Sequence, residues 1–155
     1  MITGIINRAY EVEAFFKVGD RTTENEIAGF LSDHTFLVAE GEAGVVGAVR
    51  VNHHQSDGHF GMLAVEPSVQ ANGLGRRLVA AAEAWAAERG CTSMWLEVVN
   101  LREELPPWYR KLGYEITGTQ PWPEEFRHRI SRDAHFIIMS KQLAATTVAA
   151  GQAGR

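Results

Sequence analysis

A chain of 155 residues, with 45% hydrophobic and 22% charged side chains, suits one domain with a real core and leaves little room for a second. Its formal net charge of -4 argues against sequence-independent nucleic-acid binding, so an anionic ligand needs a local cationic patch. A single cysteine, Cys91, excludes an internal disulfide and a thiolate zinc cluster, and reads as a packing residue in reducing surroundings.

No window approaches the run of about 18 apolar residues that a membrane span needs, and Met1 to Tyr10 holds no long apolar signal core. A cytoplasmic setting without a membrane partner is the default expectation. In chain order, Asn7 to Val18 reads as a short helix. Thr22 to Asp33 reads as another, because Thr23 followed by Glu26 is a capping-box pattern ahead of Ile27, Phe30 and Leu31. Phe36 to Glu40 and Val45 to His53 are β-rich runs parted by Gly41 to Gly44, the signature of an antiparallel hairpin. After a polar turn at Gln55 to Gly58, Phe60 to Val65 forms a third strand that Pro67 ends. From Gly73 to Arg89 the apolar residues Leu74, Leu78, Ala82 and Trp85 mark one helical face, while Glu83 points elsewhere and Gly90 is placed for a left-handed cap. Ser93 to Asn100 is the next strand, so strand, helix and strand make a βαβ unit whose two strands lie parallel. A shorter helix near Trp108 to Leu112, a strand from Tyr114 and a last strand from Ala134 to Lys141 complete a domain over 1–143. Residues 144–155, mostly Ala, Gly, Thr and Gln, are expected to form a disordered tail.

The joint between the third strand and its helix reads Gln70, Ala71, Asn72, Gly73, Leu74, Gly75, Arg76, Arg77. A helix N-terminus offers unpaired N–H groups and partial positive charge, and Gly73 and Gly75 remove side chains from the approach of a pyrophosphate. Arg76 and Arg77 add the cationic patch that the acidic chain otherwise lacks. A tight turn with no ligand is the alternative reading of these glycines. No Lys-Ser or Lys-Thr completes a P-loop, and Leu78 stands where a dinucleotide fingerprint starting at Gly73 wants glycine.

With those patterns set aside, the chain resembles the GNAT family of N-acetyltransferases from about Phe36 to Leu143. Met62, Leu63, Ala64, Val65, Glu66 and Pro67, leading into Gln70 to Arg76, look like that family's acetyl-CoA motif. Trp108, Tyr109, Arg110, Lys111, Leu112, Gly113 and Tyr114 look like its aromatic-Tyr-x-x-x-Gly-aromatic segment. The resemblance implies an α/β (α+β) fold: a mixed, mostly antiparallel sheet with a central splayed parallel strand pair and flanking helices. It implies acetyl-CoA as co-substrate, with the pantetheine arm along the backbone at Leu63 and Val65 and the pyrophosphate over Ala71 to Arg76. Asn100 matches a position that contacts the cofactor arm, with a plain turn residue as the equal alternative.

Acyl transfer to an amine needs an uncharged nitrogen, a polarised thioester carbonyl and a proton for the departing thiolate. Tyr109 falls on the family's general-acid position, and a phenol is protonated at neutral pH; an amphipathic core tyrosine is the bland alternative. Backbone donors near Leu63 and Ala64 would serve the carbonyl oxygen. For the base, His59 matches a position where some members place a glutamate, although a polar strand-end residue is at least as good a description. Glu97 competes, because a charge inside the apolar strand Met94 to Val99 must face solvent, a partner or the acceptor cleft. His53, His54, Asp57 and His59 lack the fixed helical spacing of a zinc site, so no metal is expected.

Between Asn100 and Tyr109, Pro106 and Pro107 suggest a rigid loop. An Arg-x-Glu-Leu loop at Arg102 to Leu105, with Pro121, Trp122 and Pro123 later, looks like a bacterial subgroup in which both border the acceptor cleft. Arg102 and Trp122 thus become substrate candidates, with solvated loop residues as the alternative. Arg21 to Glu24 resemble a segment on the acceptor side, where Glu24 would bind an ammonium group. If Glu24, Glu97 or Glu103 line the cleft, cationic amines are favoured. The family's usual first strand has no counterpart, which leaves Phe36 to Glu40 with an unpaired edge and makes a homodimer one expectation. The expected activity is acetylation of a primary amine on a small molecule. A non-catalytic acyl-CoA sensor, acetylation of a protein N-terminus or lysine, and a nucleotide-binding module remain alternatives.

Overall fold

The computed structural model describes residues 2–42 and 44–144, the side chains of residues 32, 33, 70 and 71 excepted. The expected tail lies outside these residues from position 145 onward. Six strands form one sheet: β1 (Thr35–Gly41), β2 (Gly44–His54), β3 (Asp57–Val65), β4 (Ser93–Val99), β5 (Glu115–Pro121) and β6 (His135–Gln142), in the order β1-β2-β3-β4-β6-β5. All neighbours pair antiparallel except β3 and β4, the two strands of the βαβ unit. Among the described residues no strand precedes β1, which stands at the sheet edge. No helix among the described residues is long and apolar enough to cross a membrane.

Helices cover both faces. On one side α1 (Ile2–Ala9) and α2 (Glu24–Asp33) bury Ile5, Ile6 and Ile27 against Met62 and Ala64. On the other, α3 (Leu74–Glu88) lays Leu78, Val79, Ala82 and Ala86 on Val49, Val51, Phe60 and Met94. Gly90, at φ 84°, ends α3 in the left-handed conformation, as its position predicts.

The first helix begins at Ile2, not Asn7, and gives way to a 3₁₀ turn over Tyr10–Phe15. The reason is periodicity: Ile2, Ile5, Ile6 and Ala9 form the buried stripe, which the Asn7 start overlooks. The α2 cap is half of the expected box. Thr23 Oγ1 accepts the Glu26 N–H at 3.1 Å, but the Glu26 carboxylate turns to Thr22 Oγ1 and Arg129. Pro106 and Pro107 are not in a rigid loop. They open α4 (Leu105–Arg110), where a proline costs nothing because the first-turn N–H groups have no helical partner. Glu83, off the apolar face as expected, accepts the Tyr114 hydroxyl at 2.6 Å and Lys141 Nζ at 3.1 Å, tying α3 to β6.

One glycine on β3 is imposed by α3. A Cβ at Gly58 would lie 2.8 Å from Ala86 Cβ and 2.7 Å from Met94 Sδ. Gly58→Ala should therefore cost about 1–3 kcal/mol, the usual range for overpacking. The readout is a lower urea midpoint at unchanged slope; an unmoved midpoint would show that α3 gives way freely.

Candidate active site

The site originates in a fault in β3. Between the pairs Ala48↔Ala64 and Arg50↔Gly61 the register shifts, with Met62 at φ 52°. This bulge inverts side-chain parity: Phe60 packs toward α3, whereas Met62, two residues on, packs toward α1. The strand bends, and parallel pairing with β4 stops after Asp57↔Ser93, Gly58↔Met94 and His59↔Trp95. Beyond His59 the two strands splay.

Two cavities use the gap. A groove of ≈ 680 Å³ runs past Leu63 and Val65 of β3, Gly73, Gly75 and Arg76 at the start of α3, and Trp108 of α4. A pocket of ≈ 340 Å³ lies between Gly61 and Met62 of β3, Glu97 to Val99 of β4, and Trp122, Pro123 and Phe126. Tyr10, Leu105 and Tyr109 line both, so Tyr109 stands at the passage from one to the other.

In the groove, Gly73 sits at φ 78° and no side chain caps the 15-residue helix α3, leaving its first N–H groups open. A Cβ at Gly75 would meet only ordinary contacts, Trp108 at 3.6 Å and Val65 at 3.9 Å, both of them groove walls. Leu74, by contrast, packs into the core, and Ala64 is buried on the opposite face against Ile5 and Ile6. Asn72 is exposed and outside the groove lining. Asn100 Oδ1 accepts the His135 N–H at 2.8 Å and its own N–H donates to His135 O at 2.9 Å, so it closes the β4–β6 end as a turn residue.

In the pocket, the two base candidates form one unit. His59 Nε2 is 2.6 Å from Glu97 Oε1 and its Nδ1 is 3.1 Å from Asn52 Oδ1. Glu97 faces the pocket and the buried His59 backs it. Burial pushes the Glu97 carboxyl up, but the His59 hydrogen bond and charge, with help from Arg50, hold it below the ordinary carboxylate range. Tyr109 is 5% exposed and packs beside Phe60, Trp108 and Tyr114. Burial drives its phenol far above the ordinary pKa, Tyr10 adding to the shift and Arg102 opposing it.

Trp122 lines the pocket, its ring stacked on Phe136 at 5.0 Å and its Nε1 donating to Phe126 O. Arg102 lines the groove, bonded to Glu13 at 2.9 Å and Glu104 at 2.7 Å. Glu24 and Glu103 line neither cavity, so of the three carboxylates expected at the cleft only Glu97 stands in the pocket, which Glu13 and Glu26 also line. Sequence reasoning missed Tyr10, Glu13, Lys17, Glu26, Arg50 and Arg129, all on the pocket wall. Arg50 was findable: it is a lone charge in the apolar run Val45 to Val51, the same signal that singled out Glu97. Lys17 and Arg129 meet there because Lys17 bridges to Ile130 and Ser131 N donates to Phe16 O, contacts without a local sequence signature. Among the described residues no group of three or more His, Cys, Asp or Glu is placed to hold a metal.

The sequence profile of the acetyltransferase (GNAT) domain matches residues 32–116, more than half of the chain. The protein belongs to the GNAT acetyltransferase family. Its fold is similar to that of nourseothricin acetyltransferase, at 27% identity and a TM-score of 0.64 over 72% of this chain and 66% of that one. The GNAT chain here thus spans just under two thirds of that enzyme's length. It is also similar to YncA of Salmonella typhimurium, solved with its cofactor acetyl-CoA, at 22% identity and a TM-score of 0.70 over 92% and 86% of the two chains. A third likeness is to a GNAT family acetyltransferase from Elizabethkingia anophelis with acetyl-CoA bound, at 15% identity and a TM-score of 0.68 over 78% and 84%. No curated protein sequence matches the chain. Acetyl-CoA suits this GNAT groove as co-substrate: the open α3 N-terminus and Arg76 for pyrophosphate, unpaired β3 backbone for an amide-bearing arm, and space at Gly75.

Proposed function

We propose that the protein is an N-acetyltransferase, moving the acetyl group of acetyl-CoA to a primary amine of a small molecule by direct attack, with Tyr109 as general acid. The observation that carries this reading is the place of Tyr109, in the wall shared by the donor groove and the acceptor pocket. The amine nitrogen attacks the thioester carbon, the C–S bond breaks with its electron pair on sulfur, and the phenol gives its proton to the thiolate. Backbone N–H groups near Leu63 and Ala64 are the donors offered to the carbonyl oxygen.

Glu97, ionised at neutral pH, pairs with the incoming ammonium. It takes one ammonium proton to free the nitrogen lone pair for attack, and the second proton, released once the C–N bond forms, returns the Tyr109 phenolate to the phenol. His59 acts through Glu97 as a positioning residue, and Trp122 shapes the acceptor's room. The test is thiol release from acetyl-CoA against a panel of amines. Turnover with one amine class supports the reading; tight acetyl-CoA binding without turnover points to a sensor, and absence of binding defeats both. A second copy pairing along the open edge of β1 would make a homodimer, and a monomer in sedimentation at micromolar concentration would dispose of that idea.

A further inference from the structure

The acceptor pocket holds more cations than its carboxylates engage. Lys17, Arg21, Arg50 and Arg129 line it, with the carboxylates Glu13, Glu26 and Glu97. Glu13 is taken by Arg102 and Lys17, Glu26 by Arg129, and Glu97 by His59. No carboxylate among the described residues forms an ion pair with Arg50 or Arg21.

Arg50 is built into place rather than left at the surface. Its guanidinium lies 4.4 Å over the Phe30 ring, and its Nε is buried without a hydrogen-bond partner. Nη1 has only Met62 Sδ at 4.0 Å, a weak acceptor. Opposite it on β3 stands Gly61, where a Cβ would come within 2.9 Å of Nη2, so the glycine keeps room for the planar group. Burial lowers the Arg50 pKa, and Arg21 nearby adds to that while Glu97 opposes it. A desolvated guanidinium without a counter-ion is costly, and a planar fork of donors suits a carboxylate above other partners.

Resting on the acetyl-transfer reading of this same pocket, we propose that the acceptor is an amine that also carries a carboxylate, an amino acid or a close relative. Its carboxylate is received by Arg50 with Arg21 alongside, while its ammonium faces Glu97. The arrangement is zwitterionic, with the cationic and anionic receivers in one pocket. The phosphates of acetyl-CoA do not account for the cations, because Arg50 and Arg21 line the pocket and not the groove.

The experiment measures acetylation of amino acids alongside their carboxamides and their decarboxylated amines, in the full chain. The expected result is a kcat/KM for the acids about tenfold or more above the other two forms, expressed mainly in KM, as a charge-assisted pair implies. Arg50→Gln should bring that ratio close to one, with Arg50→Lys retaining part of it and Arg21→Gln reducing it less. Acetyl-CoA binding reports whether each variant folds; should Arg50→Gln fail that check, Arg50→Lys and Arg21→Gln carry the comparison. Carboxamides or plain amines that match or exceed the acids overturn the proposal while leaving acetyl transfer standing. A protein that binds acetyl-CoA and acetylates no amine overturns both.

Discussion

Tyr109→Phe should lower kcat by about 10²-fold or more, the usual span for removing a general acid, while acetyl-CoA affinity stays within a few-fold. The substitution deletes one oxygen and leaves the ring's packing against Phe60, Trp108 and Tyr114 intact. No described residue hydrogen-bonds that hydroxyl, so its loss orphans no buried partner and stability should barely move. Because burial raises the phenol's pKa, the group stays protonated throughout the range in which the fold is assayed. An alkaline fall in rate therefore belongs to another group, and its midpoint should survive in the residual activity of Tyr109→Phe. Steady-state kinetics with calorimetric acetyl-CoA binding separate the roles. A kcat within threefold of the parent would return Tyr109 to the ranks of packing tyrosines.

The largest effect on stability is expected at a residue the sequence did not single out. Glu13 is 3% exposed at the end of the 3₁₀ turn, its Oε2 2.9 Å from Arg102 Nη1 and its Oε1 3.8 Å from Lys17 Nζ. It ties the N-terminal segment to the loop that precedes α4, across the mouth shared by both cavities. Glu13→Gln keeps the shape and removes the charge, leaving Lys17 without its counter-ion and Arg102 with only the exposed Glu104. Breaking a buried pair in this way costs about 3 kcal/mol. For a domain of this size that is a fall in Tm of about 6–12 °C.

The deficit should also depend on pH. Burial lowers the Lys17 pKa to about 8, with Arg21 adding to the shift and Glu13 opposing it. Folding therefore carries a protonation cost on Lys17 below pH 8. That cost fades as pH rises from 8 toward the unfolded value of 10.5, because there the unfolded chain holds the proton and the native chain does not. Removing Glu13 withdraws the group that supports the charged lysine, so the gap between variant and parent should narrow between pH 7 and 9. A melting series at both pH values reads this directly. Equal deficits would assign the loss to Arg102 alone.

What the sequence makes legible is whatever is local. The Thr23 cap, the Gly90 stop, the hairpin and the strand-helix-strand unit each rest on a few neighbouring residues, and each stands where its chemistry puts it. The groove was legible for the same reason, since Gly73, Gly75 and Arg76 follow one another at a single helix start. Beyond the shared Tyr109, the pocket was legible only at Glu97 and Trp122, because the rest of its wall takes Tyr10, Lys17, Arg50 and Arg129 from separate elements that only the fold assembles. The β3 bulge escaped notice too. The run Phe60 to Val65 reads as one smooth strand, and nothing in its composition announces that Met62 adopts a positive φ and reverses the faces. The two prolines before Trp108 misled in a simpler way, since the same residue type that stiffens a loop is equally at home in a helix's first turn.

The splay of β3 from β4 also bears on how long each molecule lasts. A sheet with rungs missing at its centre is sound only when something else spans the gap, and here the spanning strut would be the co-substrate's own amide-bearing arm. Occupancy at a hundred times Kd adds about 2.7 kcal/mol to a fold. Molecules charged with acetyl-CoA would then be the durable ones, opening last on heating, and empty ones the first.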